Sequence, residues 1–333
     1  MKHTTSKLRL IFICALLIPL ILDAKTAVTA GSDALQMCIR SVIPGVLPFI
    51  LLGNAIASEI GGYRLPFAEK ILQIPQGTAG YFLIGIFCGY PVGAKLLNDA
   101  AQRGQINKLE ASRMTAFCNN ASPAFIIGIL SCIFTPSGAA MLMWIIQICA
   151  SVITGMLLPP VSGMDHSPII LPTKTNKNIM TDSLKAIASI CGWIIVFSVI
   201  LAYLSKSFLQ RLDPITVTII RGTTELTNGL LTLSTIRSAS TQYIISAILL
   251  SIGGICVLMQ TKSVAPKLNV RYYIYARLLH GVISATLASF SAFFIFGERF
   301  EAITTVPLLL CASFLLIMIY IFNKKMVAIR LMV

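Results

Sequence analysis

Apolar runs of about 20 residues recur from one end of this 333-residue chain to the other. A run of that length is what an α-helix needs to cross a hydrocarbon layer roughly 30 Å thick. Backbone inside lipid has no water to bond, so it must close its own hydrogen bonds, as a helix or a closed barrel does. The runs are continuous rather than alternating, which selects helices over barrel strands. Composition agrees: 11% of residues are charged, less than half the roughly 25% of a soluble domain. The expected fold class is all-α integral membrane, with the lipid bilayer as the surrounding partner.

The expected spans are Leu8–Leu22, Leu35–Ile60, Leu109–Phe134, Ala139–Leu158, Leu184–Lys206, Ser240–Gln260, Tyr272–Phe296 and Ala302–Phe322. Leu8–Leu22 is short and is followed by the small residues Ala27-Val28-Thr29-Ala30. A cleaved signal peptide has that pattern; a retained first helix is the preferred reading. Two more stretches are apolar but interrupted. Gly77–Asn98 is broken by Gly85, Gly89, Pro91 and Gly93. Pro214–Ser238 is broken by Gly222 and Gly229 and carries Arg221 and Glu225. Both are expected to be re-entrant hairpins, because irregular backbone at membrane depth survives only under protein cover or along a cavity.

Charge sets the expected topology. With the N-terminus inside, the cytoplasmic segments hold Lys2, Lys7, Arg9; Arg64, Lys70; Arg103, Lys108, Arg113; Lys174, Lys177, Lys185; Lys262, Lys267, Arg271, Arg277; and Lys324, Lys325, Arg330. That is 18 of the 26 Lys and Arg, against five outside: Lys25, Arg40, Lys206, Arg211 and Arg299. The asymmetry fits eight crossings of the cell membrane with both termini cytoplasmic. If either hairpin crossed fully, every later loop would change sides. The net charge of +14 is carried by these small loop clusters, without a basic stripe or stacking platform, so nucleic acid is not an expected partner.

Two halves follow one plan: long helix, interrupted hairpin, helix with a polar break, long helix. After an N-terminal helix and external loop (1–34), the first repeat covers 35–160, with its hairpin at about 77–98. A cytoplasmic linker covers 161–183. The second repeat covers 184–297, with its hairpin at about 214–238, and a last helix with a basic tail covers 298–333. Three crossings per repeat invert the second relative to the first. Paired interrupted segments in inverted halves are the sequence pointer to a secondary transporter with its site near the midplane.

The polar residues at those interruptions are the candidate substrate-binding set. In the first hairpin Gly89, Pro91 and Gly93 shape the backbone, and Lys95 is a cation inside an apolar stretch, a functional candidate or a snorkelling side chain. Gly85, Gly89 and Gly93, spaced by four, would share one helix face and pack closely. In the next helix Asn119, Asn120 and Ser122 precede Pro123, which removes a donor from the helix ladder. The second hairpin offers Arg221, Glu225 and Asn228; Glu225 could pair with Lys95 or Arg221, take a proton, or hold a cation. The matching break carries Gly253 and Gly254. His3, His166 and His280 lie far apart and the nine cysteines form no C-x-x-C pair, so neither a metal centre nor a disulfide framework is expected. No catalytic motif is present, and no enzyme activity or cofactor is expected; coupling ion and homo-oligomer formation are left open.

At these interruptions the chain resembles a known family. Gly89-Tyr90-Pro91-Val92-Gly93-Ala94-Lys95-Leu96, Asn119-Asn120-Ala121-Ser122-Pro123-Ala124-Phe125-Ile126-Ile127-Gly128, Glu225-Leu226-Thr227-Asn228-Gly229 and Gly253-Gly254 look like the sporulation integral membrane proteins of the YlbJ type. That family carries nucleoside-recognition (Gate) domains. The chain departs from the family pattern at Ser122, where glycine is expected, and at Ile252, where an aromatic is expected. The resemblance implies a role in spore formation and movement of dipicolinate, a small aromatic dicarboxylate. Lys95 and Arg221, one from each hairpin, would suit such a dianion, as would helix N-termini. The Gate relationship implies a nucleoside instead, which Asn119, Asn120, Glu225 and Asn228 could bind. A non-transporting membrane scaffold for spore assembly is the third reading.

Overall fold

A computed structural model describes residues 18–60, 63–135, 138–161 and 178–297. The expected span Ala302–Phe322, most of Leu8–Leu22, most of the linker 161–183 and the basic tail lie outside the described residues. Among the described residues the fold is helical, without strands.

Helix α1 (Ala24–Met37) runs through a π-helical turn, Cys38–Val42, into α2 (Ile43–Ile60). The segment up to residue 34, expected as an external loop, is therefore helix. Its start is a capping pattern: Asp23 Oδ1 accepts the Thr26 N–H at 3.3 Å, which satisfies a first-turn donor. Then follow α3 (Pro66–Leu72), α4 (Ala79–Cys88), α5 (Val92–Gln102), α6 (Lys108–Cys118), α7 (Pro123–Leu130) and α8 (Ala139–Leu157). The later half comprises α9 (Ile179–Ser207), α10 (Pro214–Thr224), α11 (Leu226–Thr232), α12 (Ala239–Ile252), α13 (Gly254–Val264) and α14 (Val270–Phe296).

Among the described residues, five helical stretches are long and apolar enough to cross a membrane: Ala24–Gly53, Ala139–Leu157, Ile179–Ser207, Ala239–Val264 and Tyr272–Phe296. The expected span Leu109–Phe134 is divided instead into α6 and α7, of 11 and eight residues. The division is written in Ser122-Pro123. A residue before proline is pushed out of the α region, and Ser122 sits extended at φ −71°, ψ 154°. Pro123 then opens α7, where a missing N–H costs nothing, and Ser122 Oγ accepts the Phe125 N–H at 3.2 Å.

Helix α14 is the central packing element, lying against α12, α8 and α6, while α9 lies against α1 and α2. Two loop cations of the charge count are buried. Arg113 is fully enclosed; it pairs with Glu110 at 2.9 Å and donates to the Leu72, Gln73 and Leu158 carbonyls. It thereby fastens α6 to the ends of α3 and α8. Arg277 is buried in α14. Without these two, 16 cations remain in the segments expected to be cytoplasmic, against five in those expected outside. Lys206, at the end of α9, pairs with Asp23 at 2.7 Å.

Candidate functional site

The two hairpins are helix–break–helix units. In the first, α4 and α5 are separated by Gly89-Tyr90-Pro91; in the second, α10 and α11 are separated by Glu225. Each hairpin lies against a broken helix of its own half. Gly85, Gly89 and Gly93 do not share one helix face, because the helix ends between them. All three face the backbone of Cys118–Ser122 nevertheless. A Cβ at Gly85 would sit 1.8 Å, and one at Gly93 2.1 Å, from the Cys118 carbonyl oxygen; one at Gly89 would sit 2.6 Å from the Ser122 nitrogen. Gly89 also has φ +75°, a conformation glycine adopts without a steric penalty. Tyr90 N–H donates to the Asn120 carbonyl at 2.6 Å, which joins the hairpin tip to the break. The second half repeats the arrangement: a Cβ at Gly254 would lie 2.6 Å from the Gly222 carbonyl oxygen.

Both tips border one cavity of about 310 Å³, near the lower end of the ~300–1,000 Å³ typical of small-molecule sites. Its polar lining is Ser41, Tyr90, Ser122, Glu225, Thr227 and Gln260; the rest is apolar, including Phe125, Ile190 and Val257. Ser41 comes from the π-helical turn, a feature that often marks functional sites.

Of the expected binding set, Ser122 and Glu225 line this cavity; Lys95, Asn119, Asn120, Arg221 and Asn228 do not. Glu225 pairs with neither Lys95 nor Arg221, an ion pair being one of the three roles its sequence position left open. It caps α11 instead, accepting the Thr227 N–H at 3.1 Å on Oε1 and the Asn228 N–H at 2.8 Å on Oε2. A carboxylate suits that position because a helix N-terminus presents unpaired N–H groups and positive dipole. Asn228 Nδ2 donates to Glu225 Oε2 at 2.8 Å and to Ser198 at 3.1 Å, tying the tip to α9. Lys95 pairs with Asp99 on its own helix at 3.4 Å. Arg221 donates to Ser205 at 3.1 Å.

The two asparagines stand behind the cavity wall and cross-link elements. Asn119 Oδ1 accepts the Ala94 N–H at 3.3 Å, and its Nδ2 donates to Thr261 at 3.1 Å and Tyr273 at 3.2 Å. Asn120 Nδ2 donates to the Phe117 carbonyl at 2.8 Å and Ser151 at 3.0 Å. Its Oδ1 accepts from Arg277 Nη1 at 2.9 Å. Arg277 also donates to the Leu250 carbonyl at 3.1 Å, in the last turn of α12. One guanidinium therefore touches both helix breaks. His280 lies 2.9 Å from Arg277 through Nδ1 and 3.2 Å from the Gln147 carbonyl through Nε2. Sequence reasoning missed Arg277, Gln260 and Tyr90. The usable signal was a cation five residues into the apolar run that opens at Tyr272.

Among the described residues no His, Cys, Asp and Glu cluster is able to hold a metal. No family model matches the chain, and no solved structure matches it. One curated protein does: the sporulation integral membrane protein YlbJ of Bacillus subtilis (strain 168), 25% identical over 307 aligned positions that take in 77% of this chain and 75% of the relative. The similarity covers far more than the four motifs and supports the resemblance they carry to the sporulation integral membrane proteins of the YlbJ type.

Proposed function

We propose that the chain is a multi-pass secondary transporter that acts in spore formation and moves a small organic anion of the dipicolinate kind. The observation that supports transport is the shared cavity. Two hairpin tips and a broken helix, contributed by both halves, border one space of about 310 Å³. In transporters built from repeats, substrate sits where such discontinuous helices meet. The proposed arrangement is eight crossings with both termini cytoplasmic, the hairpins re-entrant from opposite sides, and two inverted repeats at 35–160 and 184–297.

The cavity accounts for the anion in a different way from the sequence expectation. Tyr90 and Ser122 stand at the N-terminal ends of α5 and α7, where helix dipoles favour negative charge. Glu225 spends its charge on the N-terminus of α11. A second reading, a nucleoside, is favoured by Glu225 and Gln260 in the lining, since a carboxylate and an amide bind ribose hydroxyls and base edges. We assign no catalytic role to any residue.

Proteoliposomes carrying the full-length protein test this. Uptake of labelled dipicolinate that unlabelled dipicolinate competes and uridine does not supports the anion. Competition by uridine alone supports the nucleoside. No accumulation of either solute, with folded protein in the vesicles, leaves the scaffold reading.

A further inference from the structure

We propose that Arg277 and Tyr90 form a carboxylate-binding subsite behind the cavity wall. This rests on the anion-transport reading and replaces the Lys95–Arg221 pair as the source of anion recognition.

Arg277 is only 2% exposed. Among the described residues no carboxylate lies within 4.0 Å of it, whereas Arg113, Lys95 and Lys206 each have one. A charge withdrawn from water without a counter-charge is expensive to hold. Its partners are neutral: the Asn119 carbonyl at 3.4 Å, Asn120 Oδ1, the Leu250 carbonyl and His280, with the Tyr273 ring 5.8 Å away. These leave the cation solvated but uncompensated.

The donor inventory says what is missing. A guanidinium has five N–H groups. Nη1 serves Asn119, Asn120 and His280, and Nη2 gives one N–H to Leu250. Nε, although buried, has no partner, and Nη2 has a second N–H. Nε and Nη2 are the two nitrogens of the side-on fork, which matches the two oxygens of a carboxylate.

Tyr90 connects this group to the cavity. It lines the cavity, and its N–H is bonded to the same Asn120 whose side chain accepts from Arg277. Its phenol oxygen is buried and unpartnered. Two residues with unpartnered donors, one of them charged, thus meet at Asn120 in the helix break: Arg277 at its side-chain oxygen and Tyr90, through its backbone N–H, at its carbonyl. A solute carboxylate that entered past the Tyr90 ring would take the phenol hydroxyl and then the guanidinium. Arg221 shares a free Nε, but it is less deeply buried, reaches Ser205 and does not line the cavity.

The test uses full-length protein in proteoliposomes and three pyridine ligands: the 2,6-dicarboxylate, the 2-monocarboxylate and the neutral 2,6-diamide. The phenol oxygen bonds no protein group, so Tyr90→Phe leaves the melting temperature unchanged. It is expected to raise the dicarboxylate Kd about tenfold, the loss of one hydrogen bond to a charged group, with diamide binding unmoved. Arg277→Lys keeps the charge and removes the fork; folded variant is expected to lose dicarboxylate affinity by more than Tyr90→Phe does. Wild-type affinity for the dicarboxylate in both variants would overturn the subsite while leaving anion transport standing. A wild-type protein that binds no carboxylate ligand would overturn the anion reading itself, and the subsite with it.

Discussion

Replacing Gly85 by alanine probes how tightly the first hairpin is clasped to the broken helix. A Cβ there would lie 1.8 Å from the Cys118 carbonyl oxygen, and Cβ atoms are essentially never found within 3.0 Å of a heavy atom. The contact must therefore open by at least 1.2 Å. The obstacle is backbone, in a segment where Asn119 and Asn120 are each held by several hydrogen bonds, so it cannot swing aside as a side-chain end would. Overpacking of a tight contact costs about 1–3 kcal/mol, and rigid backbone puts Gly85→Ala at the upper end. The same argument applies to Gly93→Ala at 2.1 Å. Gly192→Ala is the control: it lies inside α9 with nothing within 4 Å, so alanine gains helix propensity of up to about 1 kcal/mol. Thermal unfolding of the three variants in one detergent ranks them. Gly85→Ala and Gly93→Ala melting together with Gly192→Ala would refute the close clasp.

Glu110→Gln leaves the enclosed Arg113 guanidinium without its carboxylate; breaking such a pair costs about 3–5 kcal/mol, read as a large fall in melting temperature. Asp23 beside Lys206 is held down to about 2, chiefly by its hydrogen bond to the Lys206 ammonium. Because that value is below the ordinary 3.8, the contact stabilises above about pH 4 and is lost as pH falls towards 2. Asp23→Asn abolishes this acid-range loss, and pH-dependent melting at low and high salt checks it, the exposed pair being screened by salt. Ser122→Ala removes the cap of α7, worth about 1 kcal/mol, and is read by the same melts. For topology, an alkaline phosphatase fusion after Gln105 is expected to be inactive and one after Gln210 active; equal activity at both sites contradicts the opposed hairpins.

The interruptions were legible because glycine and proline announce backbone events. Ser122-Pro123, Gly89 and Gly253 each stand where a helix stops, and the division into hairpins and broken helices follows from them. Partner choice was not legible. Lys95 looked like a ligand cation because it sits in an apolar stretch, yet Asp99 one turn on takes it. Glu225 was open to an ion pair, a proton or a cation, but a helix begins at the next residue and its unpaired N–H groups take the carboxylate at 2.8 and 3.1 Å. Arg277 was counted with the loop beside it, since charge-counting places a cation by its neighbours in sequence, while burial depends on which helix packs over it. The helix over 24–34 was missed because its small residues lack the bulk of the spans, and the Asp23 cap was not weighed.

The central claim is that solute passes through the cavity between the hairpin tips. Gly128 lines that cavity, and a Cβ there meets nothing within 4 Å, so a larger side chain enters open space. Initial uptake of labelled dipicolinate by reconstituted Gly128→Phe, set against wild type and against Gly192→Phe on α9 outside the cavity, is the most direct measurement. The account predicts uptake lost in Gly128→Phe at an unchanged melting temperature and retained in Gly192→Phe. Uptake at the wild-type rate by the Gly128→Phe variant would contradict it.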